Sequence, residues 1–101
     1  MILHSVFFYL KEGAPAETAG LMKTEILDTL SAITSVREIL AGPPQGIDRD
    51  VVDNDYAMSL HAKFDDLEGL QAYQSDTVHV AFVEKFKPHF ERIRVFDTRT
   101  G

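Results

Sequence analysis

Three residues of this chain have side chains suited to acid–base chemistry on a small molecule: His4, Tyr73 and His79. A histidine changes charge near neutral pH, so its neutral imidazole can take a proton from an acidic group. A buried tyrosine hydroxyl needs a hydrogen-bond partner and can donate to a carbonyl or an enolate oxygen. These residue types suit chemistry next to a carbonyl group, for which we expect neither a cofactor nor a metal.

His79 is the candidate general base. It lies near the third residue of a predicted helix that starts after Asp76, and a helix N-terminus disfavours a charged imidazole. The carboxylate of Asp76 has the opposite effect, because a nearby negative charge favours the cation. His79 could instead bond a buried backbone group or cap the turn, so its role stays open at the level of sequence.

Tyr73 and His4 have positions from which they could share a cavity with His79. Tyr73 falls on the inner side of the preceding predicted helix, and His4 shares a strand face with Val6 and Phe8. Each could equally be a core residue whose polar atom is satisfied. Three polar groups in an apolar cleft are the usual composition of a small-molecule site. We therefore predict Tyr73 and His79 as catalytic residues, with a cavity lined by His4, Val6, Phe8, Met22, Ile26, Leu60, Phe82, Phe86 and Ile93.

The remaining polar residues do not predict a metal site. His61 alternates onto the sheet face opposite to Leu60, and His89 follows His79 by ten residues, about 15 Å of helix rise. The aspartates of segment 43–55 lack the glycine and terminal glutamate of a calcium loop, so we expect a solvated acidic turn. The chain has no cysteine, which excludes disulfides, thiolate metal sites and cysteine nucleophiles.

Hydrophobic periodicity predicts the elements that would position these side chains. Apolar and alternating segments predict four strands, at 2–10, 36–41, 55–64 and 93–97. Three helices are predicted between them: one from about Pro15, one opened by a capping box of Asp65 and Glu68, and one capped by Asp76. The apolar stripe of the third helix runs from His79 to Phe90, and Pro88 should kink it.

The order of these elements is β-α-β-β-α-α-β, which predicts a single α+β domain over residues 1–101. It is the ferredoxin-like arrangement, a four-stranded antiparallel sheet with its helices on one face. The other face would leave an apolar patch without a helix to cover it, and such patches usually mark an interface. We therefore expect a homodimer through this open sheet face, whose exposed residues would be Leu3, Phe7, Tyr9 and Phe96.

Composition narrows the class of partner. A net charge of −6 argues against nucleic acid and against anionic membranes, since both attract clustered Lys and Arg. The apolar segment 2–10 is too short to span a bilayer, and the N-terminus lacks the basic segment of a signal peptide. We expect a cytoplasmic protein.

Four segments in this order and spacing resemble the stress-responsive A/B barrel family. They are HSVFFYLKEG near the start, YAMSLHAKFDDLEGLQAY in the middle, HVAFVEKFKP in the third helix and RVFD near the end. The resemblance covers His4 to Asp97 and implies a dimeric α+β barrel. Most members of the family have no known reaction.

A plant branch of that family consists of polyketide cyclases, which close a linear tetraketide by aldol condensation. The resemblance implies that its key tyrosine and histidine fall on Tyr73 and His79, and a further cavity histidine on His4. A fourth cavity histidine of the branch falls on Met58, which we add to the predicted lining. The H-P-x-H sequence common before the third helix is replaced by Asp76-Thr77-Val78-His79.

Three functions remain open. The chain could bind a small hydrophobic or aromatic ligand, which we take as the leading hypothesis. It could be a cofactor-independent enzyme, a cyclase or a cofactor-free monooxygenase, on the same cavity. It could also be a structural module whose large Phe residues fill the core. Cavity volume separates the last hypothesis from the others, because a substrate pocket needs roughly 300 Å³.

Overall fold

A computed structural model describes the whole chain, from Met1 to Gly101, as one α+β unit. Its four strands are β1 (Ile2–Leu10), β2 (Glu38–Gly42), β3 (Met58–Phe64) and β4 (Phe90–Arg99). Its three α-helices are α1 (Thr18–Asp28), α2 (Leu67–Ser75) and α3 (Thr77–Phe86). Short 3₁₀ turns follow α1 at Leu30–Ala32 and α3 at Lys87–His89.

The sheet confirms the ferredoxin-like prediction. Its strand order is β2-β3-β1-β4, and every neighbouring pair is antiparallel. The first strand therefore lies in the middle of the sheet, between β3 and the last strand. Because side chains alternate across a strand, His4, Val6 and Phe8 share the face that the helices cover. The chain's candidate site lies between this face and α2 and α3.

The core forms where the helices meet the sheet, as the helical stripe predicted. Met22, Ile26 and Leu30 are fully buried, and Phe82 and Phe86 of α3 are nearly so. They join the inner residues of β1 and β3 in one hydrophobic cluster. Full burial of such a side chain contributes roughly 1.5–3 kcal/mol, so this cluster is what holds the helices on the sheet.

The start of α2 differs from the prediction by one residue. The cap is Asp66, whose carboxylate accepts a hydrogen bond of 2.8 Å from the backbone N–H of Gly69. Asp65 lies outside the helix and pairs with Arg37 at 2.8 Å, which lowers the pKa of the Asp65 carboxyl. Two adjacent aspartates follow β3. The three-residue spacing of a capping box with Glu68 predicted Asp65 as the cap, and this prediction was wrong. The predicted cap at Asp76 is confirmed, because its carboxylate accepts from the N–H of Val78 at 2.8 Å.

Other boundaries move by a few residues. Helix α1 begins at Thr18, three residues after Pro15, and β2 and β3 begin at Glu38 and Met58. The predicted stripe of α3 extended to Phe90, but α3 ends at Phe86 and Phe90 opens β4. Pro88 lies in the 3₁₀ turn between them, so it does interrupt the helix, for lack of a backbone N–H.

The open face of the sheet is smaller than predicted. Tyr9 was expected to be uncovered there, but it is only 5% exposed. The segment before β3 folds back over it: the Tyr9 hydroxyl donates a 2.7 Å hydrogen bond to Asp53, and the ring of Tyr56 packs nearby. This hydrogen bond lowers the pKa of Asp53. Phe96, at 48% exposed, and Leu40, at 58% exposed and opposite His61 in the β2–β3 pair, are large apolar residues that remain uncovered on this face.

Strand β4 is exposed along almost its whole length. The helices cover β1 and β3 but stop short of this edge, so even inward-facing Ile93 and Val95 are 42% and 50% exposed. One side of the candidate site is therefore open beside β4. Among the helices, none has the length and apolar character needed to cross a membrane.

Candidate functional site

A cavity of about 170 Å³ lies between the sheet and helices α2 and α3. Nine of its twelve lining residues are hydrophobic, and no Lys or Arg is among them. The lining consists of His4, Val6, Phe8, Leu60, Tyr73, Gln74, His79, Phe82, Val83, Phe90, Ile93 and Val95. The site is thus an apolar space with a few polar groups.

The structure brings eight of the twelve predicted site residues into this lining: His4, Val6, Phe8, Leu60, Tyr73, His79, Phe82 and Ile93. The other four, Met22, Ile26, Met58 and Phe86, lie in the closed core and do not line the cavity. Helical and strand periodicity identifies an inward face, but it does not distinguish close-packed core from cavity wall.

Four lining residues were not predicted: Gln74, Val83, Phe90 and Val95. Val95 could have been found, because it alternates with Ile93 and pairs with Val6 across the strands. Val83 follows His79 by one helical turn and is on the predicted stripe. Phe90 had been placed in the helix, and nothing in the sequence points to Gln74.

His79 is oriented by the carbonyl of Gln74. Its Nδ1 lies 3.0 Å from that oxygen, and a carbonyl only accepts, so the proton of the neutral ring is on Nδ1 and Nε2 is left unprotonated. Burial lowers the pKa of His79, and the nearby imidazole of His4 adds to this, whereas Gln74 and Asp76 oppose it. The ring is therefore neutral at pH 7 and has a free basic nitrogen.

Tyr73 lies between the two cavity histidines. Its ring centroid is 4.6 Å from that of His79 and 6.0 Å from that of His4. The residue is 1% exposed, and burial raises the pKa of its phenol, which stays protonated. Ser35 is the one residue with a sealed, unpartnered polar side-chain atom, so the unbonded Tyr73 hydroxyl must reach the cavity. A ligand could supply its missing partner.

His4 is oriented by the last strand. Its Nδ1 lies 2.5 Å from an oxygen of Asp97, the residue directly opposite it in the β1–β4 pair. A carboxylate accepts this hydrogen bond, which leaves Nε2 of His4 without the proton in the neutral ring. The sequence did not indicate Asp97, because the contact joins residues 93 positions apart. Both cavity histidines thus have one nitrogen fixed by an oxygen and one left for a ligand.

His61 lies on the opposite face of the sheet, where alternation placed it. Its two nitrogens lie 3.0 and 3.2 Å from the hydroxyls of Ser5 and Ser59, and its ring packs beside Phe7. Burial lowers the pKa of His61. No group of three or more His, Asp or Glu side chains is arranged to hold a metal ion.

A ferredoxin-like sheet with a cavity under its helices places this chain in a broad class of α+β domains. Within that class, the chain belongs to the stress responsive A/B barrel domain family, whose profile matches residues 2–100. The family has unknown or varied function, and membership establishes no specific activity. No match was found among curated protein sequences.

Solved structures show the same fold at low sequence identity. A family member from Mesorhizobium loti is 24% identical, with a TM-score of 0.78 over 99% of this chain and 96% of that one. A dimeric ferredoxin-like protein of unknown function from Thermobifida fusca is 18% identical, with a TM-score of 0.81 over 98% and 90%. A hydroxynitrile lyase from Passiflora edulis is 16% identical, with a TM-score of 0.80 over 99% and 93%.

Proposed function

We propose that this protein binds a small, neutral, largely apolar ligand in the cavity beside Tyr73. The observation that carries the proposal is a space of about 170 Å³ that contains an unbonded tyrosine hydroxyl. An apolar cavity of about 150 Å³ is enough to bind benzene, whereas drug-sized ligands need roughly 300 Å³ or more. The ligand is therefore about the size of one aromatic ring with small substituents.

The cavity is smaller than the roughly 300 Å³ of an ordinary substrate pocket, but the large side chains around it do not close it, as a purely structural core would require. Protein interiors are close-packed, and few contain voids much larger than a water molecule. Phe8, Phe82 and Phe90 line this space without filling it. The Tyr73 hydroxyl faces this space and is not sealed in the core, so a water molecule or a bound ligand can supply its hydrogen-bond partner.

The polar groups of the cavity favour a neutral ligand with a hydroxyl over an anion. No Lys or Arg lines the space, burial lowers the pKa of His79, and His4 is already paired with the Asp97 carboxylate, so a carboxylate ligand would find no free charge partner. The Nε2 atom of neutral His79 can accept a hydrogen bond, and Tyr73 can donate one. A phenol meets both requirements, because its hydroxyl donates and accepts.

Phenol and benzoate are therefore the probes for the binding test, since they share a ring and differ in charge. We expect phenol to shift the backbone NMR signals of Tyr73, His79 and Val95 at about pH 7.5. Benzoate should bind at least about tenfold more weakly. If phenol shifts none of the cavity signals, the proposal is wrong and the structural module is favoured.

A second candidate function is enzymatic, favoured by the unprotonated His79 nitrogen beside the free Tyr73 hydroxyl. In this proposal His79 Nε2 takes a proton from the carbon next to a ligand carbonyl, and Tyr73 donates a hydrogen bond to the enolate oxygen. Return of the proton regenerates the ketone, while attack of the enolate on a second carbonyl gives an aldol-type cyclisation. A structural neighbour is itself described as a hydroxynitrile lyase, so this fold is compatible with catalysis.

Deuterium exchange of acetophenone, a one-ring ketone, tests this enzymatic step directly. The protein in D₂O should replace the methyl protons with deuterium faster than buffer alone. His79→Gln, which keeps a polar side chain of similar length but no base, should abolish the acceleration. If the ketone binds but its methyl protons exchange only at the buffer rate, the enzymatic proposal is wrong and the binding function remains.

The proposal includes a homodimer through the open sheet face and a cytoplasmic location. The face carries Phe96 at 48% exposed next to half-buried Phe7, and a second copy would cover both. Dimeric neighbours with the same fold support this arrangement. Native mass spectrometry should give twice the 11.3 kDa mass of the chain, and a monomer would contradict it.

A further inference from the structure

We infer that Phe82 limits the length of the ligand by separating the cavity from a second space between α1 and α3. The inference rests on the proposed binding function and adds the residue that sets its size limit. The second space is a groove on the protein surface, and it is distinct from the site described above. It is lined by Glu25, Thr29, Val78, Ala81, Phe82 and Lys85.

Phe82 is the one residue that lines both spaces. Residues three and four positions apart are neighbours on the surface of a helix, so Phe82 lies between two faces of α3. His79 and Val83 face the cavity, while Val78 and Ala81 face the groove. The aromatic ring of Phe82 therefore forms the partition between them.

The position of this ring is fixed by its packing. Phe82 is 3% exposed, and its ring centroid lies 6.2 Å from that of Phe8 on the sheet and 5.1 Å from that of Phe86. The Phe8 ring meets it edge to face and the Phe86 ring is tilted against it, and together they restrict its rotation. In the native chain the partition is closed, and a ligand must fit on the cavity side.

The two volumes show what the partition excludes. The cavity has about 170 Å³ and the groove about 280 Å³. One ring fills the first space. Tyr73 lies beside His4, and Phe82 lies beside Phe8, four residues further along β1, so a ring whose hydroxyl bonds Tyr73 directs an alkyl chain in its para position at Phe82. Val78 and Ala81 offer apolar contact along the groove, and the salt bridge between Glu25 and Lys85 crosses its outer part. Without the ring, the joined space would reach the size of an ordinary substrate pocket.

A series of para-alkylphenols tests the inference, with phenol, 4-ethylphenol and 4-butylphenol as probes. In the wild-type protein we expect affinity to fall by at least about tenfold from phenol to 4-butylphenol, although the added methylenes would favour burial. Phe82→Ala should reverse this order and bind 4-butylphenol at least about tenfold more tightly than the wild type. New NMR shifts should then extend to Val78 and Ala81 in the groove.

Ile33→Ala is the control, because it also removes a buried side chain from the core but lies outside α3 and lines neither space. It should leave the preference for short chains unchanged. Equal gains in both variants would mean general loosening of the core and would overturn the inference. Phe82→Leu serves the same test if Phe82→Ala does not fold, with a gain for 4-ethylphenol expected.

The outcomes separate this inference from the proposed function. Wild-type protein that binds phenol, together with a Phe82 variant that still rejects 4-butylphenol, would overturn the partition and leave the binding function intact. Wild-type protein that binds no phenol would remove both.

Discussion

Tyr73 stands between two histidines that are held in the same way. His79 is fixed through Nδ1 by the Gln74 carbonyl, and His4 through Nδ1 by the Asp97 carboxylate. Orientation of one nitrogen by an oxygen is how proteins present the other nitrogen for a defined task. The sequence indicated the three residues but not their two anchors, since a backbone carbonyl has no sequence signature and Asp97 is distant in the chain.

The hydroxyl of Tyr73 gives the first prediction at this scale. Tyr73→Phe keeps the ring packed on Phe64 and removes a group that bonds to nothing in the protein. The free energy of unfolding should therefore change by less than about 0.5 kcal/mol. Phenol affinity should fall about two- to tenfold, the value of one hydrogen bond. Urea unfolding and an NMR titration measure the two effects, and a loss of stability without a loss of affinity would contradict the role of Tyr73 in binding.

The histidine pKa values give a second prediction. Burial lowers the pKa of His61 and of His79, so between their folded-state values and 6.5 the unfolded chain binds more protons. These two histidines should leave the free energy of unfolding constant above about pH 6.5. Below that pH they should lower it, because protons then bind preferentially to the unfolded chain. Urea unfolding from about pH 7.5 to 5.5 measures the change.

His79→Gln is the variant that isolates one histidine in this experiment. It should unfold with a smaller pH dependence than the wild type over the same range, because the carboxyl groups are common to both proteins. An identical slope in the two proteins would mean that the pKa of His79 is not lowered by folding.

At the scale of elements, the caps decide where α2 and α3 begin and hence where the site residues point. Asp76 caps α3 and lies three residues before His79, and Asp66 caps α2, which carries Tyr73. The capping residues were predicted from Ser, Thr, Asp or Asn before a helical stripe, correctly for Asp76. For α2, either of two adjacent aspartates could be the cap. Which one it is depends on how the chain leaves β3, and the sequence does not show this.

The two aspartates before α2 provide a third prediction. Asp66→Ala removes the hydrogen bond to the Gly69 N–H and should lower the free energy of unfolding by about 1 kcal/mol. Asp65→Ala removes only an exposed ion pair with Arg37 and should lower the free energy of unfolding less than Asp66→Ala does. Urea unfolding of the two variants measures the difference. A larger loss of stability for Asp65→Ala would mean that Asp65 is the cap, as the sequence predicted.

In the whole molecule, β4 is the strand with surfaces that a ligand or a second copy of the chain could cover. Its inward residues line the cavity, its outward residue Phe96 is open, and its outer edge has no neighbouring strand. The sequence predicted the sheet, its antiparallel pairing and an uncovered face, because these follow from element order and alternation. It did not predict that the helices leave β4 bare, or that the segment before β3 covers Tyr9, since both depend on how loops pack in three dimensions.

Two matched substitutions test the proposed dimer interface. Phe96→Asp puts a charge on the open sheet face, whereas Val80→Asp puts the same charge on the outer surface of α3, and the replaced residues are 48% and 47% exposed. We expect Phe96→Asp to weaken dimerisation at least about tenfold, because a buried unpaired charge is costly. Val80→Asp should remain dimeric in sedimentation analysis. Equal dimerisation of both variants would place the interface elsewhere.

The pairing of β1 with β4 also has a consequence for the time course of folding. Contacts such as that of His4 with Asp97 join the two ends of the chain, and closing so long a loop is slow compared with forming helices or the β2–β3 hairpin. During synthesis, α2, α3 and three strands leave the ribosome before the wall formed by Ile93 and Val95 exists. The ability to bind a ligand is therefore acquired last. A nascent or truncated chain that already has secondary structure will still lack the β4 wall of the cavity.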